Sequence, residues 1–134
     1  MINFKKILII LIPILLFILI GSFVIDLGIN SKFFIKRDFN QAFTYRVTGD
    51  CDAFINYLSS DIEKWKERCE EEKSRDNEPI RNFQIQNISH QFGSDRAFLQ
   101  VELTRKMVEK DYSYSVTYEM IKDGVSWKIN QEIQ

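Results

Sequence analysis

From Ile7 to Ile25 the chain carries 19 consecutive residues without a charge. Nothing else in its 134 residues restricts the fold as strongly. As an α-helix, at 1.5 Å rise per residue, such a run spans roughly 28 Å, close to the hydrocarbon core of a bilayer. Met1-Ile-Asn-Phe-Lys5-Lys6 is a short basic head, and Asp26 closes the run. Pro13 interrupts it, which a membrane helix tolerates with a local kink. Gly21 and Ser22 are small residues of the kind such helices carry. The expectation is an uncleaved transmembrane anchor in contact with the lipid bilayer.

Two other readings compete. A secretory signal peptide has an apolar region of about 7–15 residues followed by a small-x-small cleavage site. This run is longer, and Ile20-Gly21-Ser22 places a bulky residue at the −3 position. No Cys follows closely enough to accept a lipid, and a pilin-type signal would put the processing Gly before the run. The other alternative is a buried helix of a soluble protein. Lys5 and Lys6 flank the span on its N-terminal side, while Lys32, Lys36 and Arg37 on the other weaken the asymmetry. The expected orientation, N-terminus in the cytoplasm, rests mainly on a short basic head before a long apolar core, as in a signal-anchor. The chain thus divides into a cytoplasmic head and anchor, 1–29, and an extracytoplasmic domain, 30–134.

Removing residues 1–29 takes away Lys5, Lys6 and Asp26, leaving 16 basic and 18 acidic side chains. A nucleic-acid partner is therefore not expected, since such domains carry a basic excess. Eleven Phe, five Tyr and two Trp supply a core, so the domain is not disordered. The length allows one modest core and excludes a multidomain enzyme or a polytopic transporter.

Asn30 or Ser31 can cap a helix over about 31–47, with Ile35, Phe39, Ala42 and Phe43 on its apolar face. Gly49 suits the left-handed position that ends it, and Asp50 can cap a short helix presenting Ala53, Phe54, Tyr57 and Leu58. Ser60 with Glu63 reads as a capping box for a third helix with Ile62, Trp65 and Cys69 on one stripe. Glu70-Glu71-Glu72, interleaved with Arg68, Lys73 and Arg75, reads as a solvated helix face rather than an acidic site. Ser74 to Pro79 is polar and reads as a loop.

From Ile80 the period changes to two. Phe83 and Ile85 alternate in one phase, and Ile88, His90 and Phe92 continue in the other, which marks a β-bulge near Asn87. Gly93-Ser94-Asp95 is a turn. Ala97, Leu99, Val101 and Leu103 share one face of the next strand, and Tyr112, Tyr114, Val116, Tyr118 and Met120 one face of the third. Asp123-Gly124 signals a two-residue hairpin into a last strand with Val125, Trp127, Ile129, Gln131 and Ile133 on one side. The fold class is α+β: after the anchor, three helices pack on a four-stranded antiparallel curved sheet.

Three of these features together resemble the nuclear-transport-factor-2-like superfamily, an α+β roll. They are the helix ending at Thr48-Gly49-Asp50 before a short helix with Phe54 and Leu58, the bent strand at 81–92, and Trp127-Lys128-Ile129 after Asp123-Gly124. The chain looks most like small membrane-anchored or secreted bacterial members. The resemblance implies a sheet that often dimerises, hence a possible homodimer. One span followed by this roll also occurs in an assembly-core component of type IV secretion systems.

Cys51 lies eight residues before Ser59 and Cys69 nine after Ser60. If the two helices fold back at that corner, each Cys sits about 12–14 Å from it, and a bridge comes into range. Export permits a disulfide, which would stabilise by about 3 kcal/mol. The alternative is two buried thiols. Two Cys and one His do not complete a metal site, and no cofactor is expected.

His90 is the one His. Enzymes of the resembled superfamily use a cavity base, and His90, with Asp95 or a Tyr as partner, could serve as one; otherwise it is a locally bonded strand residue. Tyr112, Tyr114, Tyr118 and Trp127, with His90, are candidates to line an apolar ligand pocket, although the core needs the same residues. Arg105, Lys106 and Lys110 read as charges guarding a strand edge or turn. No catalytic residue is assigned. The first expectation is a non-enzymatic interaction or assembly module with an unknown protein partner. The second is an apolar-ligand binder, and the third a lyase or isomerase using His90.

Overall fold

The computed structural model describes residues 3–30, 32–74, 79–107 and 109–133, with the backbone alone for 26–30 and 74. Of the expected cap, the Asn30 side chain and Ser31 lie outside these descriptions, as do 75–78 of the loop expected from Ser74 to Pro79, whose Ser74 ends a helix. The uncharged run is helical within α1 (Phe4–Asn30), and Pro13 sits inside the helix. Its segment Phe4–Ile25 is long and apolar enough to cross a membrane, and none of it is buried.

Helix α2 (Lys32–Thr48) buries Ile35, Phe39, Ala42 and Phe43 completely, the four positions that the helical spacing selects. Asp38 and Arg46 lie on the same buried stripe. Gly49 ends the helix at φ 81°, a left-handed conformation that costs a residue without Cβ little. Asp50 then accepts a bond from the Ala53 N–H at 3.2 Å and starts α3 (Cys51–Phe54), which tightens into a 3-10 turn over Ile55–Tyr57.

The corner that follows departs from the expected capping box. Asp61 stands at φ 52° before α4 (Ile62–Ser74), and the Ser60 hydroxyl donates to the carbonyl oxygen of Asn130 at 2.7 Å. Ser59 N–H likewise donates to Ile129 O at 2.9 Å. The serines therefore tie the corner to the sheet. Helix α4 buries Trp65 and Cys69, whereas Ile62 faces outward. Cys51 and Cys69 form a disulfide with Cα atoms 5.8 Å apart.

Strands β1 (Ile80–Ser89), β2 (Arg96–Arg105), β3 (Tyr112–Asp123) and β4 (Ser126–Ile133) form an open antiparallel sheet in chain order. Ile85 pairs with Val101 and Asn87 with Gln100, so the bulge falls where the phase slip places it. Both phases of β1 then meet the inner face. A second irregularity was not expected. Met120 pairs with Ile129 but Glu119 with Gln131, which leaves Asn130 as the extra residue. Gln131 and Ile133 therefore share a face with Glu119 and Thr117 rather than with Trp127. The hairpin loop is Gly124-Val125, since Asp123 pairs with Ser126. Gly124 at φ 62°, first of the two loop residues, fits the type II′ turn, and Val125 points outward.

Leu99, Val101, Leu103, Tyr118, Met120, Trp127 and Ile129 make the sheet's share of the core. Helix α2 runs along the sheet, over β1 and β4; the 3-10 turn also meets β4, α3 packs on α2, and α4 on α3. Of the three helices expected on the sheet, α2 makes the main contact, while α4 reaches β2 and β4 through Glu72 and Arg68. The outer sheet face is polar: Gln86 donates to Glu102 (3.1 Å), Thr104 bonds Ser113 (3.0 Å) and Asn130 donates to Glu119 (2.7 Å).

Candidate functional site

An arginine on the buried stripe of a helix must find a carboxylate, because an unpaired charge is costly to desolvate. Arg46 finds Glu72 near the end of α4. Its Nη2 donates to Oε1 at 2.7 Å and its Nε to Oε2 at 3.1 Å, a bidentate fork. The rings of Phe43, Phe54 and Trp65 surround the guanidinium, with centroids 5.3, 5.9 and 5.3 Å from Cζ. Arg105 of β2 reaches the same carboxylate, with Nη2 3.3 Å from Oε1, and its Nε donates to the Tyr114 hydroxyl at 2.6 Å. One carboxylate thereby joins α2, α4 and β2.

Burial by itself would lower the pKa of Arg46, but the bond and charge of Glu72 outweigh it and hold the pKa above the ordinary value. Burial pushes Glu72 upward, yet Arg46, then Arg105 and Arg68, bring it below the usual range. Burial raises Tyr118, with Arg46 partly opposing. Despite that coupling, Arg46 Nη1 and the Tyr118 hydroxyl are buried without a well-formed hydrogen bond among the described residues. Beside them opens a cleft of about 340 Å³, lined by Arg46, Glu72, Lys73 and Lys106 among others. A second cleft of about 320 Å³ lies between α4 and β4, with Lys64, Arg68 and Glu132 in its wall. In the first, Glu72 already holds Arg46, and Lys73 and Lys106 are the cations of the wall that an anionic group would meet.

The sequence-selected residues are spread between the core and the surface of the domain. Tyr118 packs between Phe39 and Phe43, at 5.5 and 5.1 Å, and is fully buried with Trp127. Tyr112 stacks on Tyr114 at 5.6 Å but is 55% exposed. His90 places Nε2 2.9 Å from the Ser94 carbonyl oxygen and lies edge-on to Trp127 at 5.4 Å. Two of the pocket candidates are core, Tyr112 is surface, and Tyr114 belongs to the arginine network. Among the described residues no group of three or more His, Cys, Asp or Glu is placed to hold a metal ion.

Arg46, Glu72 and Arg105 were not selected from sequence as a site. Arg46 carried a usable signal, a charge three residues after Phe43 on the apolar stripe. By sequence Glu72 belongs to a solvated face and Arg105 is an edge charge; the structure largely buries both side chains around Arg46.

No family model matches the chain, and no curated protein matches it. Among solved structures, it is similar to the solution structure of a SEC-C motif containing protein from Rhodopseudomonas palustris. The TM-score is 0.56 at 7% identity, covering 68% of this chain and 70% of the other. At that identity the likeness is one of fold alone.

Proposed function

We propose that this chain is a single-pass membrane protein that displays an α+β roll of nuclear-transport-factor-2-like type outside the cytoplasm, as a non-enzymatic interaction or assembly module. The observation that carries the reading is the bare apolar helix. Within Phe4–Ile25 the apolar window is unburied, and lipid is the medium in which such a surface is stable. The Cys51–Cys69 bridge supports an oxidising compartment for the domain. The interior between α2 and the sheet is occupied by Phe39, Phe43, Tyr118 and Trp127, which favours an interaction role over an enclosed apolar ligand. His90 is engaged by the Ser94 carbonyl rather than by an acid that would tune it as a base.

Crosslinking the full chain in living cells tests this. A discrete adduct that persists with His90→Ala is expected; its mass tells a second copy from another protein. A chain that never crosslinks, or a cellular phenotype abolished by His90→Ala, overturns the reading.

A further inference from the structure

The anchor and the domain meet at one end of the sheet. Phe23 lies against Phe92, with ring centroids 5.9 Å apart. Phe23 precedes Ile25 by two residues, so a spanning helix holds it about 3 Å inside the end of the apolar run. Whatever touches Phe23 is then at the level of the headgroups. Phe92 stands in the β1–β2 turn and is 63% exposed. Antiparallel order brings the β3–β4 turn to the same end, where Lys122 N–H donates to Asp95 O at 2.8 Å. There Val125 is 70% exposed. Helix α2 also begins at this end, because Asp38 accepts a bond from the Trp127 N–H, and its first turn exposes Phe33.

Cations surround these apolar tips: Lys32, Lys36, Arg37, Arg96, Lys122 and Lys128. Asp26 closes the apolar run in sequence, and the acidic groups there among the described side chains are Asp38, Asp95 and Asp123. Asp38 is buried and paired with Arg37, and Asp123 is paired with Lys128. Aromatic and aliphatic tips within a basic surround match a lipid–water interface, apolar at depth and anionic at the headgroups.

We infer that this end of the domain rests on the bilayer, with Phe92 and Val125 in the headgroup layer and the basic side chains over anionic lipid. The inference rests on α1 spanning the membrane. It fixes the orientation of the domain: the cleft beside Arg46 and Lys106 lies at the far end of the strands, roughly 35 Å out along β3.

The test uses the full chain with its native cysteine bridge intact, in vesicles of phosphatidylglycerol and phosphatidylcholine. One added cysteine at a time, Phe17→Cys, Phe92→Cys, Val125→Cys or Met107→Cys, carries an environment-sensitive fluorophore, and a nitroxide on the lipid quenches it. Met107, an exposed apolar residue between β2 and β3, is the matched control at the opposite end. Quenching of roughly twofold or more is expected at 17, 92 and 125, with 107 unaffected. At 125 it should weaken in phosphatidylcholine alone. If 17 is quenched while 92 and 125 behave like 107, the lipid-resting end is wrong and the anchor stands. An unquenched 17 removes both. Quenching at 125 that ignores lipid charge removes the electrostatic part.

Discussion

Helix α2 buries one charged side chain towards each end, and their surroundings differ. Asp38 is closed. Its Oδ2 accepts the Trp127 N–H at 2.8 Å, and its Oδ1 accepts Arg37 Nε and Nη2 at 3.1 and 3.0 Å. Arg46 is open. Glu72 takes two of its nitrogens, while among the described residues neither Nη1 nor the neighbouring Tyr118 hydroxyl makes a well-formed hydrogen bond. The carboxylate pins the start of β4 to the helix. The guanidinium ties α2 to Glu72 of α4, and the same carboxylate takes Arg105 of β2, beside a cleft. The same helical stripe therefore serves packing at one end and carries the candidate site at the other.

The largest effect should come from breaking the open end. Glu72→Ala strands Arg46 among aromatic rings and should cost about 3–5 kcal/mol in urea unfolding. Replacing both partners, Arg46→Met with Glu72→Gln, should recover much of that loss. A cost below about 1 kcal/mol for Glu72→Ala would place the network outside the stabilising core. Reducing the Cys51–Cys69 bridge, which spans 18 positions, should remove about 3 kcal/mol from the same end.

At the closed end, Asp38→Ala leaves the Trp127 N–H without its carboxylate and should cost about 1–3 kcal/mol. An effect larger than that of Glu72→Ala would reverse the comparison. The open end should also respond to pH. Glu72 has a lowered pKa in the fold, so its contribution is complete above the ordinary glutamate value of 4.5 and is lost as pH falls through the depressed one. Acid unfolding should therefore flatten in the Glu72→Gln variant. The smallest effect is expected from Asp123→Asn, whose pair with Lys128 is exposed at the hairpin; it should change stability by less than about 1 kcal/mol.

Features set by neighbours in sequence were legible. The buried face of α2, the Gly49–Asp50 junction, the bulge in β1 and the pairing of Cys51 with Cys69 all depend on local spacing or on two equal arms about one corner. The capping box failed because Ser60 has a competing acceptor on β4, 70 positions away. The β4 bulge left no trace because Asn130, Gln131 and Glu132 are all polar, so alternation cannot register a slip. The network around Arg46 joins residues 26 and 33 positions apart, distances over which periodicity says nothing. The one available clue was a charge on an apolar stripe. The aromatic residues chosen for a pocket were legible as apolar, but sequence does not separate the lining of a cavity from its filling.

The anchored arrangement is tested most directly in intact cells stripped of any outer wall. A Met107→Cys variant is treated with a maleimide that cannot cross the membrane, and Cys51 and Cys69 are followed in the same sample. Labelling of 107 without permeabilisation, with the native pair unreactive until a reductant is added, is the expected result. Labelling only after the membrane is opened, or two free native thiols, would contradict a bilayer-held helix with its domain outside.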